Sequence, residues 1–142
     1  EEKFRGHCHR VTIRAAEHAD IPRLMMAADA GLLLRRDQLL NRVACPTKFA
    51  EYLACGLPVI TTPWAGHAGA LVKKYNAGLI IEHIDENCLN MITAFLHSPC
   101  PDAERQRLQQ IAAHELNGHT AESRLLTCHA ELTNAGPSAL LT

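Results

Sequence analysis

The sequence predicts an α/β fold with a parallel sheet of about four strands and helices on both faces. Short aliphatic or β-branched runs alternate along the chain with segments of helical periodicity. The runs are continuously apolar, as strands are when both faces of their sheet are covered. Helices between consecutive strands favour right-handed crossovers and therefore a parallel sheet. The element order, β-α-β-α-β-α-β-α-α, is typical of the second half of a Rossmann-like domain.

Two strands and one helix are predicted before residue 35. Val11–Ala15 is rich in β-branched and aliphatic residues and is predicted to be the first strand. Asp20 and Pro22 are typical of a helix start. The apolar residues that follow recur three and four positions apart, on one helix face. They are Ile21, Leu24, Met25 and Ala28. Residues 30–34 are predicted to be a second, fully buried strand.

The next segment contains a loop, a helix and a third strand. Residues 35–45 are polar and are predicted to form a loop. Pro46 is well suited to start a helix, because the first helical positions need no N–H partner. The helix is predicted to end at Gly56, since glycine is favoured just past a helix C-terminus. Residues 57–61 are the predicted third strand.

The remaining elements are one strand and four helices. Residues 69–75 are predicted to be a short helix, and residues 79–81 the fourth strand. Asp85 caps a helix that places three apolar residues on one side. They are Leu89, Ile92 and Leu96. Asp102 opens another helix whose inward residues are Leu108, Ile111, Ala112 and Leu116. A final helix is predicted from about residue 120 to 132.

Composition narrows the function classes. The chain has 142 residues, 47% of them hydrophobic, and a net charge of -1, which disfavours a disordered tail and a general nucleic-acid binder. No apolar run is long enough to cross a bilayer, and the charged start lacks the apolar segment of a signal peptide. The six cysteines form no C-x-x-C pair. We therefore expect reduced thiols and a cytoplasmic protein, at most peripheral to the inner face of a membrane.

The polar loop and the helix after it form the candidate site, because ligands of open α/β sheets bind at the carboxyl ends of strands. The helix start at Pro46 and Thr47 offers backbone N–H groups and a positive dipole end to an anion. Lys48 adds a positive charge. Glu51 shares its helix face and can accept hydrogen bonds from a vicinal diol such as a ribose. The loop supplies the remaining polar candidates, Arg35, Arg36, Asn41 and Arg42. The alternative is that all of these are solvated surface residues.

The motif P-x-K-x-x-E-Y-L-A-x-G-x-P-V-I at residues 46–60, with the run 28–35 before it, resembles the donor-binding domain of GT-B glycosyltransferases. It is most similar to the retaining group 1 (family 4) enzymes, and the resemblance extends more weakly from about residue 11 through the C-terminal helices. It implies that residues 1–142 are a single, partial nucleotide-sugar-binding domain. The glycan acceptor would bind an N-terminal domain absent from these residues. The fragment alone would then hold no complete catalytic site, and the resemblance implies no cofactor.

The resemblance also assigns roles to individual residues. It implies that Glu51 hydrogen-bonds the ribose of the nucleotide sugar. The helix start near Pro46 and Thr47 would face the diphosphate, with Lys48 as a charge partner.

Three further positions are compared with the family pattern. Val43 stands where the E-x₇-E pattern has its first acidic residue, so an acidic contact to the transferred sugar is absent. Asn41 is similar to an Asn found in relatives with this variation. His67, in the loop after the third strand, would lie near the donor, where relatives often have an acidic residue.

Two other interpretations remain open. The first is a zinc site built from His7, Cys8, His9, Cys128 and His129, although their spacing is not that of tetrahedral zinc ligands. The second is a stand-alone, non-catalytic nucleotide-binding or protein-docking half-domain. Its exposed sheet edge would be covered by self-association or by another protein, since bare edges aggregate. Neither nucleic acid nor a membrane is expected as a direct partner, and membrane association would come only through parts outside this chain.

Overall fold

The computed structural model describes residues 12–13, 15–98 and 100–116. Three parallel strands form one sheet in the order β1-β2-β3. They are β1 Gly31–Leu33, β2 Val59–Thr61 and β3 Gly78–Ile80. Leu32 lies opposite Ile60, and Ile60 lies opposite Leu79. The sheet and its helices confirm an α/β, Rossmann-like fold.

Six α-helices accompany the sheet in the described part of the chain, and a 3-10 turn at His18–Asp20 precedes the first. They are α1 Ile21–Met26, α2 Leu39–Arg42, α3 Thr47–Ala54, α4 His67–Tyr75, α5 Glu86–His97 and α6 Asp102–Glu115. Because α3 joins β1 to β2 and α4 joins β2 to β3, each helix returns the chain to the start of the next parallel strand.

Helices cover both faces of the sheet, as expected from the sequence. On one face, side chains of α3, α4 and α6 pack with those of the strands. The largest of them are Leu33, Phe49, Leu53, Val59, Leu71, Val72, Leu108 and Ile111. On the other face, α5 packs through Cys88, Ile92 and Phe95 against Ile60 and Leu79. The hydrophobic cluster on this second face is smaller because a single helix, α5, covers it.

Local sequence determines where α3 ends. Gly56 has a φ of 72°, a conformation that glycine adopts without steric cost. The Gly56 N–H donates to the carbonyl of Leu53, and the Leu57 N–H donates to that of Tyr52, both at 2.9 Å. These bonds satisfy carbonyl groups of the last turn, as a glycine C-cap does.

Caps also set the limits of α4 and α5. Asn76 closes α4 in the left-handed conformation, with a φ of 49°. A carboxylate oxygen of Asp85 accepts a hydrogen bond from the Cys88 N–H at 3.0 Å, which confirms Asp85 as the N-cap of α5.

The sheet and loops differ from the sequence-based prediction in three places. Of the strand predicted at residues 11–15, Thr12, Ile13 and Ala15 are not in a strand, and the other two residues lie outside the described part. Leu32 is 57% exposed rather than buried, because α5 packs on the part of this face formed by β2 and β3. The loop predicted at 35–45 contains α2.

Two helix predictions also need correction, and one lies outside the described residues. Helix α4 begins at His67, two residues before its predicted start. Leu89 and Leu96 on α5 are 64% and 45% exposed. The buried face of α5 is instead rotated to Cys88, Ile92 and Phe95, at spacings of four and three residues. The final helix predicted at about 120–132 is not in the described part of the chain.

Candidate functional site

The predicted site residues lie at the carboxyl edge of the sheet, in the segments that follow β1 and β2. Residues 34–46 leave β1, include α2 and lead into α3. Residues 62–66 leave β2 and lead into α4. Since parallel strands end at the same edge, the two segments are neighbours, which is where α/β proteins bind ligands.

Two buried threonines, Thr61 at the end of β2 and Thr62 just after it, hydrogen-bond to the end of β1 and to the segment that follows it. The Thr62 hydroxyl accepts a hydrogen bond from the Arg35 N–H at 3.0 Å and donates one to the Arg35 carbonyl at 2.7 Å. The Thr61 hydroxyl donates to the Leu33 carbonyl at 2.9 Å. The start of the loop at residues 34–46 is therefore held in place relative to β2.

Polar side chains of the loop form hydrogen bonds and an ion pair within the loop. The Arg42 guanidinium donates to both carboxylate oxygens of Asp37, at 2.7 and 2.8 Å, and lies 5.0 Å from the centre of the Trp64 ring. The Asn41 side-chain amide donates to the Arg36 carbonyl at 2.9 Å. Asn41 and Arg42 thus shape the loop through contacts within the chain.

Close backbone packing joins the two segments at Gly66. Gly66 has a φ of 59°, and an added Cβ would lie 2.8 Å from the Asn41 carbonyl oxygen and 2.9 Å from that of Arg42. The next residue, His67, donates its backbone N–H to the Ala44 carbonyl at 3.3 Å. Two predicted site residues, Asn41 and His67, are brought to one place by this packing. A side chain at position 66 would separate them.

The first turn of α3 is accessible to solvent. Pro46 is its N-cap residue, and its side chain has no hydrogen-bond acceptor for the helix N–H groups. Thr47 and Lys48 are exposed. The positive end of the helix dipole therefore faces solvent at the carboxyl edge of the sheet.

Lys48 and Glu51 form an ion pair across one turn of α3. The Lys48 Nζ lies 2.5 Å from Glu51 Oε2, and the two side chains are 50% and 37% exposed. The spacing of three residues predicted this shared face. Burial and then the negative charge of Glu51 raise the pKa of the thiol of Cys55, the residue that follows α3. Glu51 lies on the second turn of α3, and its carboxylate is reachable from solvent.

Other predicted site residues present their side chains to solvent. Arg35 and Arg36 are exposed, although the backbone of each takes part in the loop contacts. Val43 is 74% exposed just after α2. The described contacts do not join these three side chains to the Lys48–Glu51 pair.

Sequence reasoning gave no role to three residues that organise this edge: Asp37, Thr62 and Trp64. Asp37 and Arg42 are five residues apart with opposite charges, which was a usable signal. Thr62 lies 27 residues from its partner Arg35, and no local pattern links them.

A cavity of about 620 Å³ at the ends of β2 and β3 was also not predicted. Its lining includes Gly66, Lys73, Glu82, Asp85 and Met91. Carboxylates outnumber the lysine among these charged side chains. The cavity is therefore less suited to a diphosphate than the start of α3 is.

The sequence left a zinc site open as an alternative and contained no apolar run long enough to cross a bilayer. The histidines and cysteines considered as zinc ligands lie outside the described part of the chain. Among the residues that are described, no three His, Cys, Asp or Glu side chains come together as a metal site. Within the same residues, no helix has the length and apolar character needed to cross a membrane.

Comparison with known families agrees with the resemblance seen in the sequence. Residues 3–130 match the family model described as glycosyl transferase-like, which covers most of the 142-residue chain. Comparison with curated proteins and with solved structures gives no significant match. The family match spans both loops, α3 and the whole sheet. This chain therefore belongs to the glycosyl transferase-like family.

Proposed function

We propose that this chain is the donor-binding part of a retaining GT-B glycosyltransferase, which transfers a sugar from a nucleotide sugar to a glycan or glycoconjugate. The observation that carries the proposal is the solvent-accessible Lys48–Glu51 pair beside the open start of α3. It combines a cation, a helix N-terminus and a carboxylate within one turn and a half of helix. Those are the groups that a diphosphate joined to a ribose requires.

In this proposal the diphosphate lies at the first turn of α3, near Thr47. Phosphate oxygens accept hydrogen bonds from the backbone N–H groups and attract the Lys48 ammonium. Arg35 and Arg36 are exposed on the preceding loop and add positive potential. A phosphate that draws Lys48 away leaves the Glu51 carboxylate available to the ribose hydroxyls.

Charge stabilisation on the leaving diphosphate is the chemical contribution of these residues. The helix dipole and Lys48 favour the negative charge that develops as the bond to the sugar breaks. Val43 provides no carboxylate for the transferred sugar. His67 and Gly66 belong to the loop we place beside that sugar.

The proposal extends to the whole protein. The domain is residues 1–142, the acceptor binds an N-terminal domain outside these residues, and the chain alone is inactive. The enzyme works in the cytoplasm, on a precursor of a cell-surface polysaccharide or glycoconjugate.

Thermal melts of the chain with UDP-, GDP- and ADP-sugars test donor binding. We expect one base to raise the midpoint by a few degrees, as a ligand of the folded state does. Glu51→Ala should abolish that rise while leaving the ligand-free midpoint nearly unchanged, because an exposed ion pair contributes only about 0–1 kcal/mol.

Glu86→Ala is the matched control, since it removes an exposed carboxylate from the first turn of α5 instead. It should keep the full nucleotide response. An equal response in wild type and Glu51→Ala would contradict the assignment of the ribose to Glu51.

A further inference from the structure

An ion pair and an aromatic ring meet where the two segments at the carboxyl edge of the sheet come together. The Arg42 guanidinium donates to both carboxylate oxygens of Asp37, at 2.7 and 2.8 Å, and its Cζ atom lies 5.0 Å from the centre of the Trp64 ring. Asp37 and Arg42 belong to the segment after β1, whereas Trp64 belongs to the segment after β2. We call these three residues the ion-pair cluster.

Backbone contacts hold the ion-pair cluster beside the proposed donor site. The Asn41 side chain donates to the Arg36 carbonyl at 2.9 Å, which closes the turn that carries Asp37. The Ala44 carbonyl, on the backbone that leads from Arg42 into α3, accepts the His67 N–H at 3.3 Å. The cluster is therefore preorganised next to the residues we place at the donor.

The charges of the ion-pair cluster favour an uncharged ligand. The Asp37 carboxylate cancels the charge of the Arg42 guanidinium, so the pair adds little attraction for a diphosphate. The exposed cations Arg35, Arg36 and Lys48 remain to supply that attraction. A ligand that matches the pair itself carries hydrogen-bond donors and acceptors side by side and no net charge.

The ion pair has hydrogen-bonding capacity left for such a ligand. The side chains of Asp37 and Arg42 are 46% and 52% exposed. Each carboxylate oxygen has a second lone pair. The Nη1 group of Arg42 donates to no residue of the described part of the chain. An acceptor and a donor thus lie side by side, and the half-buried Trp64 ring adds an apolar surface next to them.

We propose that Asp37 and Arg42 bind hydroxyl groups of the transferred sugar, with the Trp64 ring beside its C–H groups. One sugar hydroxyl donates to a carboxylate oxygen of Asp37, and a neighbouring hydroxyl accepts from Nη1 of Arg42. Both bonds are charge-assisted and therefore stronger than bonds between neutral groups. This inference rests on the proposed function and adds the residues that recognise the sugar rather than the nucleotide.

Isothermal titration of the full chain tests the inference with two ligands. They are the nucleotide sugar that raises the melting midpoint most and the nucleoside diphosphate with the same base. Asp37→Asn should weaken binding of the nucleotide sugar about tenfold, because the carboxylate and its pair with Arg42 are lost. Binding of the nucleoside diphosphate should be unchanged or tighter, since Arg42 then carries an uncancelled positive charge.

Fluorescence gives a second measurement, because Trp64 is the only tryptophan of the chain. The nucleotide sugar should change the emission of wild type, and the nucleoside diphosphate alone should not. Asp37→Asn should lose most of the response to the sugar. Glu82→Gln is the matched control, since it removes an exposed carboxylate from the segment after β3. It should bind both ligands as wild type does.

Two kinds of failure are distinguishable. If wild type binds the nucleoside diphosphate and Asp37→Asn weakens both ligands equally, the ion pair only shapes the loop and the inference is overturned. It is also overturned if Asp37→Asn binds the nucleotide sugar as wild type does, or if wild type binds the nucleoside diphosphate but no nucleotide sugar. The proposed function survives those results. If wild type binds neither ligand, the proposed function fails and this inference fails with it.

Discussion

The Thr62 hydroxyl makes two hydrogen bonds to one residue, Arg35: it accepts from the N–H at 3.0 Å and donates to the carbonyl at 2.7 Å. Thr62 is 2% exposed, so water cannot replace these bonds. Through them, the first residue after β2 fixes the backbone of the loop that follows β1.

Replacement of Thr62 by valine should destabilise the protein by about 1–3 kcal/mol, because two buried polar groups of Arg35 lose their partner. Urea unfolding measures the loss. Thr62→Ser keeps the hydroxyl and is the control. Amide hydrogen exchange at Arg35 should accelerate in the valine variant and remain slow in the serine variant. Equal protection of Arg35 in both would contradict this role of the hydroxyl.

Gly66→Ala should lower the free energy of unfolding by about 2–4 kcal/mol, because alanine is strained at a φ of 59° and its Cβ would press on carbonyl oxygens of residues 41–44. Gly69→Ala is a useful comparison. It has an ordinary φ, and its Cβ would approach the Pro63 carbonyl oxygen to 3.0 Å. We expect a smaller loss there, measured by the same denaturant titration. If Gly66→Ala were as stable as wild type, the contact between the two loops would be refuted.

The third prediction concerns the pH dependence of stability. Arg107 donates to both carboxylate oxygens of Glu104, at 2.7 and 2.5 Å, and to the Tyr75 carbonyl at 2.8 Å, which ties α6 to the end of α4. The hydrogen bonds from Arg107 hold the pKa of Glu104 below its ordinary value. The stabilisation is therefore complete above the unfolded-state pKa and is lost as the pH falls through the folded-state pKa.

Glu104→Gln should accordingly lower the melting midpoint by a few degrees at about pH 7, and this difference should shrink as the pH falls through the folded-state pKa and the wild-type carboxyl becomes protonated. Melts of both proteins across this range provide the measurement. Glu82→Gln, at an exposed loop position, is the control. A constant difference between wild type and Glu104→Gln at all pH values would show that the ion pair is not the cause.

The sequence predicted elements whose signals are local. Helix α3 lies between Pro46 and Gly56, and each residue favours its end of a helix for its own backbone reason. Lys48 and Glu51 could be paired in advance, since residues three apart on a helix are neighbours. Strands β2 and β3 were predicted for a similar reason, as short apolar runs between turn residues.

Features that depend on distant contacts were missed. Helix α2 has four residues, too few for periodicity, and its last residue, Arg42, lies over the distant Trp64 ring. On α5, two apolar stripes overlap, and the position of Ile60 and Leu79 beneath the helix favours Phe95 over Leu96. In the site, the bond from Arg35 to Thr62 spans 27 residues. These features depend on contacts between residues that are distant in sequence, and the local spacing of residues does not predict them.

The most direct test of the central claim asks whether the Glu51 carboxylate contacts the ribose hydroxyls. Isothermal titration would compare a nucleoside diphosphate with its 2′,3′-dideoxy form, each against wild type and Glu51→Ala. The nucleoside diphosphate carries the base whose nucleotide sugar raises the melting midpoint most in the thermal melts. These four affinities form a double-mutant cycle between one side chain and one diol.

We expect loss of the diol and loss of the carboxylate each to weaken binding about tenfold, with no further loss when both are absent, because each change removes the same hydrogen bonds. Glu86→Ala should bind both nucleotides as wild type does. If Glu51→Ala weakens the dideoxy nucleotide as much as the natural one, Glu51 does not hold the ribose, and the donor site as assigned here is wrong.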